Sequence, residues 1–364
     1  MQYYLACLVV MSASALRVAV QGSGMASATV ARLLSASHDV TVFEAGRGPG
    51  GRMSTRRAEA YQFDHGAQYF SPKTAEFAGA VREWRERGWV DVWDGRHCVW
   101  SAECGVAPDA PKDRFVGTPG MSAVCKGLLD GVRAVYGTRA VATRADGRWR
   151  LTHCRSGAAL GDFDFLVCGD KTAALAHRTD LPGELAGFAG PAAAAVSARS
   201  LVLLVATDPL GLDFESLRLE GHPSFAWLAR DDSKPGRARS DGAECWVAQA
   251  SPALTERLLK SVRGGDRRRG KPNAIRRRIV ADVAPLFADL VGDLGGDAPN
   301  VRLAQGHRWG AAFPLSPLDG DFYVDEARDF AACGDYFADL PARVEGAHLS
   351  GSRLAASLLA AWRD

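Results

Sequence analysis

The chain has 364 residues, 47% of them hydrophobic, which is enough apolar material for two cores and so predicts two domains. A formal net charge of +2 argues against a nucleic-acid or anionic-membrane partner. Eight cysteines without a C-x-x-C pair or a His at ligand spacing predict no metal, and scattered thiols fit a reducing compartment.

Met1 to Val10 is apolar, with Ala13-Ser14-Ala15 behind it, a faint outline of a signal peptide. It lacks a basic n-region, would be cut directly against the first strand, and is too short to span a bilayer. Met11 serves equally well as the start. A plastid transit peptide should be longer and rich in arginine, so the expectation is a soluble intracellular protein, cytoplasmic or plastid, with no membrane partner.

The densest signal follows. Arg17 to Val20 reads as a short apolar strand, Gly22-Ser23-Gly24 as a turn, and Met25 to Leu34 as a helix with Ala and Leu on one face. Such a turn aims the N–H groups at the helix start, those of Met25, Ala26 and Ser27, at a pyrophosphate. Gly22 permits the tight bend and Gly24 removes the side chain that would block the phosphates. Ser27 occupies the third glycine position of G-x-G-x-x-G and is small enough to keep helix and strand close. Gln21 ends a buried strand, where an unpaired amide would cost about 1–3 kcal/mol, so it must find a partner. The next strand, His38 to Phe43, ends in Glu44 and Ala45, with Glu44 standing 22 positions after Gly22. A carboxylate there can accept from both ribose hydroxyls and would repel a 2′-phosphate, which fits FAD or NAD and not NADP.

Arg47 to Thr55 (RGPGGRMST) then resembles the R-x-G-G-R-x-x-T motif of the amine-oxidase superfamily of flavoproteins, which implies FAD. Physically, Gly50 and Gly51 bring backbone close to a cofactor, and Arg52 offers a charged fork for pyrophosphate oxygens.

Farther along, Phe77 to Trp93 is amphipathic, and Met121 to Asp130 reads as a helix. Val132 to Val167 alternates apolar and polar residues around an Asp146-Gly147 turn. Val141, in that stretch, is counted with the cofactor-contacting residues. Strands are expected at Leu201 to Ala206 and Cys245 to Gln249, and helices at Thr255 to Val262 and Ile275 to Leu290. The arginine-rich run Arg263 to Arg278 reads as a solvated loop and helix start. Cys125 and Cys168 sit in apolar surroundings and read as core. Phe330 to Cys333 is a strand leading into Gly334-Asp335, and Arg343-Val344-Glu345 opens a helix running to Trp362. In flavoproteins of this architecture an acidic residue after the last strand holds the ribityl chain or pyrophosphate, and the helix aims its N-terminal dipole at the flavin, which assigns Asp335, Arg343, Val344 and Glu345 to the cofactor.

FDHGAQYF at Phe63 to Phe70, VGTPGMSAV at Val116 to Val124, HRW at His307 to Trp309, and CGDYF followed by RVEGAHLSG up to Gly351 together resemble the renalase-like FAD/NAD(P)-dependent oxidoreductases. The chain departs from that family at Gly169-Asp170-Lys171, where a Val-Pro-like pair is usual, and at Gly310, where an Arg or Tyr commonly follows His-Arg-Trp. The fold class implied is α/β: a discontinuous Rossmann-like FAD-binding domain from 16–72, 119–174 and 301–364, with a smaller α+β substrate domain from 73–118 and 175–300, as in amine oxidases and p-hydroxybenzoate hydroxylase.

Only one dinucleotide fingerprint is present, so a nicotinamide would have to reach the flavin as a substrate. The resemblance implies oxidation of isomeric dihydronicotinamide dinucleotides by hydride transfer to flavin N5, with O2 as acceptor. Such transfer needs alignment and a dry pocket, for which Gln68, Tyr69, Phe70, His307 and Trp309 are the candidate lining. For His307 a satisfied structural histidine, and for Trp309 plain core packing, remain open. Gly306 to Asp321 holds no cysteine, so the FAD is expected to be noncovalent. Two other functions stay open: a flavin amine or polyamine oxidase, and a non-catalytic FAD-binding protein. Amine oxidases of the superfamily place a lysine on a substrate-domain strand, and Leu201 to Asp208 has none.

Overall fold

The computed structural model describes residues 15–174, 181, 183–263, 272–337 and 343–363; the apolar segment 1–14 and the centre of the arginine-rich run, 264–271, lie outside them. The chain starts with β1 (Arg17–Gln21), α1 (Met25–Leu34) and β2 (Asp39–Phe43), then the hairpin β3 (Thr55–Ala58) and β4 (Tyr61–Asp64). Helix α2 (Ala75–Glu86) precedes short strands β5 (Val90–Val92), β6 (His97–Ser101), β7 (Gly105–Pro108) and β8 (Phe115–Gly117). Helix α3 (Ala123–Leu128) and β9 (Arg133–Val135) lead into a meander, β10 (Ala140–Ala145), β11 (Arg148–His153) and β12 (Ala159–Phe163), and then β13 (Phe165–Cys168). Helix α4 (Ala186–Ala194), β14 (Ser197–Thr207), β15 (Ser216–Leu219), β16 (Phe225–Arg230), β17 (Glu244–Ala250), α5 (Pro252–Arg263) and α6 (Pro272–Asp293) follow. The chain closes with β18 (Val301–Pro314), β19 (Phe322–Asp325), β20 (Phe330–Cys333) and α7 (Val344–Ala361).

Val18, Ala19 and Val20 are wholly buried, as a parallel strand covered on both faces must be. They form the centre of a six-stranded sheet ordered β19-β20-β13-β1-β2-β9, parallel except for β19. The chain moves from β1 to one side through β2 and β9 and to the other through β13 and β20. The tip of β1 is therefore the switch point where ligands bind in such sheets. Helices α1, α3 and α7 cover one face; Gly351 of α7 lies so near α1 that a Cβ there would stand 2.4 Å from the Ala26 carbonyl oxygen. The β10–β12 meander and Phe188 of α4 cover the other.

The second sheet has seven strands, ordered β18-β14-β17-β16-β15-β6-β7. Strand β14, second from one edge, divides its side chains by the period of two: Leu201, Leu203 and Val205 pack with α5 and α6, whereas Val202, Leu204 and Ala206 face Phe63 and Trp309. Two segments fall differently from the sequence expectation. β18 pairs with β14 along ten positions, so 301–314 belongs to the larger sheet and not to the dinucleotide sheet. The 73–118 segment divides: Phe77, Val81 and Trp84 of α2 enter the dinucleotide-side core, while β6 and β7 extend the larger sheet. Among the described residues no helix is long and apolar enough to cross a membrane. Cys125 and Cys168 are buried, and burial pushes the Cys125 thiol up to about 12.

A buried ion network ties the β3–β4 hairpin to the turn after β16. Asp64, at the end of β4, meets Lys234 Nζ at 3.3 Å and Arg237 Nη1 at 2.7 Å; Asp231 meets the same two cations at 2.8 and 2.7 Å. All four side chains are essentially inaccessible. Thr55 Oγ1 and the Met121 N–H also donate to Asp64, the Asp64 N–H donates to Asp231, and Arg237 donates to the Gly117 carbonyl. Two anions and two cations cancel, which is the condition for keeping them out of water. Removing one partner leaves a buried charge uncompensated. Lys234→Met is expected to cost about 3–5 kcal/mol in denaturant unfolding, and a loss below about 1 kcal/mol would show that the network contributes little. Burial raises the Asp64 carboxyl but Lys234 and Arg237 overcome this and bring it down to about 2. The stability it contributes is thus present above the ordinary carboxylate range and is lost as pH falls towards 2.

Candidate functional site

Strand β1 ends in a turn that presents backbone to open space. Gly22 has φ +94°, a conformation suited to glycine, and its N–H donates to the Phe43 carbonyl at 2.8 Å. Gly24 is extended (φ −70°, ψ 179°), and a Cβ built there would meet no atom within 4 Å. No side chain caps α1, so the first-turn N–H groups of Met25, Ala26 and Ser27 face that open side. Glu44, the expected ribose acceptor, also ties the turn together. Its Oε2 accepts from Ser23 N–H at 2.9 Å and Ser23 Oγ at 2.6 Å, and its Oε1 from Gly46 N–H at 2.5 Å. Ala45 bridges these two attachments.

The departures at Ser27 and Gly169 explain each other. A Cβ on Gly169 would stand 1.9 Å from Ser27 Oγ, so the serine in place of the third glycine fits because the tip of β13 has no side chain. Asp170 follows it and lies against Gly22, whereas Lys171 is drawn away, donating to the Ala195 carbonyl and to Ser197 Oγ at 2.9 Å. Gln21 finds half of the partnership it needs. Its amide N–H donates to the Ala140 carbonyl at 3.0 Å, beside Val141, while its buried Oε1 has no partner among the described residues.

The glycine-rich loop folds back over the turn. The Gly50 N–H donates to the Ser23 carbonyl at 2.9 Å, and a Cβ on Gly51 (φ +52°) would lie 3.3 Å from the Gly24 Cα. Arg52 and Asp335, assigned separately from the sequence, bind each other: the guanidinium fork meets the carboxylate at 2.7 and 2.5 Å and also the Ala312 carbonyl at 3.1 Å. The reason is burial, since Asp335 is 5% exposed and needs a cation. Glu345 is likewise engaged, its carboxylate accepting from Lys73 N–H, Thr74 N–H and Thr74 Oγ1 at the start of α2. What Arg343, Val344 and Glu345 leave for a ligand is the N-terminus of α7, which no side chain caps.

Beyond Arg52 the loop carries Gln68 and Tyr69, and β18 brings His307 and Trp309 to meet it. Trp309 Nε1 donates to the His65 carbonyl at 2.8 Å. The His65, His307 and Trp309 rings form a triangle with centroids 4.4, 5.0 and 4.5 Å apart. Beside it is Gly66, where a Cβ would stand 1.9 Å from the Arg52 carbonyl oxygen and 3.3 Å from Trp309. The Gly66 carbonyl accepts from Gln249 Nε2 at 3.1 Å and Gln68 Nε2 at 3.2 Å. Tyr69 lies one residue on, tilted against Trp227 at 5.6 Å. His65, Arg56, Gln249 and Trp227 are site neighbours that sequence reading missed; only His65 lay inside a motif that drew notice.

Four buried polar atoms here lack a partner among the described residues: Gln68 Oε1, His65 Nδ1, His307 Nε2 and Trp227 Nε1. Burial and Arg56 bring the His65 imidazole down to about 4, and burial, His65, Arg56 and Arg276 bring His307 down to about 3. Both rings are therefore neutral at physiological pH. Arg56 Nη2 stands 3.4 Å from His307 Nδ1.

Residues 20–84 match the family model of the NAD(P)-binding Rossmann-like domain. An oxidoreductase from Methanosarcina mazei superposes with TM-score 0.67 at 12% identity, over 93% of this chain and 99% of that one. Wild-type putrescine oxidase bound to putrescine gives 0.62 at 11% identity, over 95% and 99%, and reduced UDP-galactopyranose mutase gives 0.66 at 11%, over 95% and 94%. At these identities the likeness is one of fold.

Two outcomes follow. Gly24→Val should fold normally, because its backbone is extended and its Cβ meets nothing, yet fail to retain a dinucleotide, since phosphates held at this turn would need that space. Acid precipitation should release yellow colour to the supernatant from the wild type and little from the variant; full release from Gly24→Val would refute the phosphate turn. The imidazole resonances of His65 and His307 should stay flat from about pH 8 to about pH 5. Because the unfolded chain binds those protons and the folded one does not, the pair should weaken folding by about 2–4 kcal/mol over that range. A ring titrating near pH 6.5 would refute the assignment.

Proposed function

We propose that this protein is a renalase-like, FAD-dependent oxidoreductase that oxidises dihydronicotinamide dinucleotide isomers. The observation that carries the reading is the continuity of the site. One run of backbone from Gly22 to Tyr69 supplies the open phosphate turn, the glycine loop folded over it and the aromatic cluster, with the uncapped N-terminus of α7 and the Arg52–Asp335 pair completing the site. That set fits FAD, held noncovalently: the turn for pyrophosphate, Glu44 for ribose, and the helix terminus for the electron-rich end of a flavin. When bound, the flavin supplies a two-electron acceptor that O2 can reoxidise. The fold neighbours point the same way, being by name an oxidoreductase, an oxidase and a mutase studied in its reduced form.

The polar groups favour hydride donation over amine oxidation. An amine must shed a proton in the site, and imidazoles brought down to about 4 and about 3 are poor acceptors for it. Strand β14 carries no lysine, and Lys234 is locked between Asp64 and Asp231. A dihydropyridine needs only alignment. Trp309 or the Tyr69–Trp227 pair offers a flat face, and Gln68 Oε1 and His307 Nε2 offer polar atoms that can fix a carboxamide.

Anaerobic mixing tests this. Isomerised NADH should bleach the flavin fast, whereas benzylamine, spermine and ordinary NADH should not. Rapid bleaching by an amine with none by any dihydronicotinamide would establish an amine oxidase instead, and a yellow protein bleached by nothing would establish a binding protein.

A further inference from the structure

Helix α2 sorts its charges by face. Ala78, Val81, Arg82 and Arg85 fall at the i, i+3, i+4, i+7 spacing that shares one side of a helix, while Glu83 turns to Arg87 and Glu76 to Arg353. The basic face borders a groove of about 330 Å³, walled on the other side by Ser71, Lys73, Lys112 and Phe115. Val81, 2% exposed, supplies an apolar floor. Four cations thus converge on one concave space with a single carboxylate, Asp113, among the lining.

Their charge is only partly cancelled elsewhere. Lys73 and Arg82 have no ion-pair partner among the described residues. Arg85 is paired with Asp91 at 3.3 Å, and Lys112 with Asp109 at 3.1 Å. Asp109 is shared, however, for it also binds Arg114 at 2.6 Å and Arg218 at 3.0 Å, so one carboxylate serves three cations. The α2 N-terminus is not the source of the attraction, since Glu345 already occupies it.

We infer that this groove binds a phosphorylated, nucleotide-sized ligand, its phosphates on Lys73, Arg82, Arg85 and Lys112 and its apolar part over Val81 and Phe115. Size and lining suit such a molecule: a concave site of a few hundred Å³ with an apolar base and a few convergent cations. The groove also touches the candidate active site. Lys112 Nζ stands 5.5 Å from the Tyr69 ring centroid, so this cation borders both the groove and the Tyr69–Trp227 pair. The phosphates can therefore belong to the substrate itself or to a separate phosphorylated metabolite, and the inference holds whether or not the dihydronicotinamide reading does.

Calorimetric titration of the protein saturated with FAD, using inorganic pyrophosphate and ADP, tests the groove. Saturable binding is expected at about 50 mM salt, weakening several-fold by about 300 mM as the rim cations are screened. The Lys73→Ala/Arg82→Ala double variant should lose about tenfold or more in affinity, and Arg87→Ala, at the C-terminal cap of the same helix but off the groove, should lose none. Absence of saturable binding, or equal affinity in the double variant, overturns the proposal, and an unchanged unfolding midpoint in that variant excludes misfolding as the cause. ADP that raises KM for isomerised NADH without lowering kcat identifies the substrate's own phosphates as the occupant; ADP that binds without moving KM identifies a separate metabolite. If binding holds but no dihydronicotinamide bleaches the flavin, the catalytic reading fails and the groove stands.

Discussion

The site depends on four buried charges that lie outside it. Asp64 is the last residue of β4, and the next five residues, His65 to Tyr69, form the loop on which the candidate site is built. Holding Asp64 with Lys234 and Arg237 pins the start of that loop to the turn after β16, and the hydrogen bond from the Asp64 N–H to Asp231 fixes the backbone as well as the side chain. Ion pairs in a dry interior seldom add stability over apolar residues of the same volume, because desolvation offsets the Coulombic gain. Their value here is positional. An apolar contact between the hairpin and the larger sheet could slide, whereas eight polar contacts in fixed geometry admit one register.

A second constraint is the close approach of backbones, met by removing side chains. Gly51 lets the loop lie on the turn, Gly351 lets α7 lie on α1, and Gly66 lets the His65–Gln68 loop lie on the Arg52 carbonyl. Only at Gly22 and in the Gly50–Gly51 pair does a left-handed φ enter the argument; at Gly24, Gly66, Gly169 and Gly351 the issue is space. Ser27 and Gly169 make the point most directly, since each looks anomalous alone and the pair restores the helix-to-strand spacing that glycine at 27 would have given.

The elements legible in the sequence are those whose pattern is local. The first strand, the helix from Met25, the fingerprint turn and the C-terminal strand and helix carry apolar runs or periodicity that their own residues specify. β18 does not. Its fourteen residues include two glycines, two arginines and no regular alternation, and it becomes a strand because β14, about a hundred residues earlier, offers a ladder of partners. The network was hidden for the same reason. Asp231, Lys234 and Arg237 sit in a stretch, ARDDSKPGRARSD, that reads as solvated loop, and its burial follows from Asp64, 167 positions away from Asp231. His307 was visible as a residue but not as a neutral one, because its state comes from its burial, with His65 and Arg56 adding to it.

That neutrality has an electrostatic consequence. Around the aromatic triangle the charged neighbours are cations: Arg56 beside His307, with Arg276 and Arg47 near enough to oppose the charge on Arg56. The nearest buried carboxylates, Asp64 and Asp231, are already matched by Lys234 and Arg237. Protonating either imidazole would bury a charge and add a fourth like charge to this group, which is why both rings resist it, and a ligand that becomes more electron-rich would relieve the same repulsion. The uncapped start of α7 adds to that bias from the side of the six-stranded sheet. On the proposed reading, the cations that make the histidines poor bases also favour a cofactor taking up a hydride, so one charge distribution disfavours amine deprotonation and assists dihydropyridine oxidation.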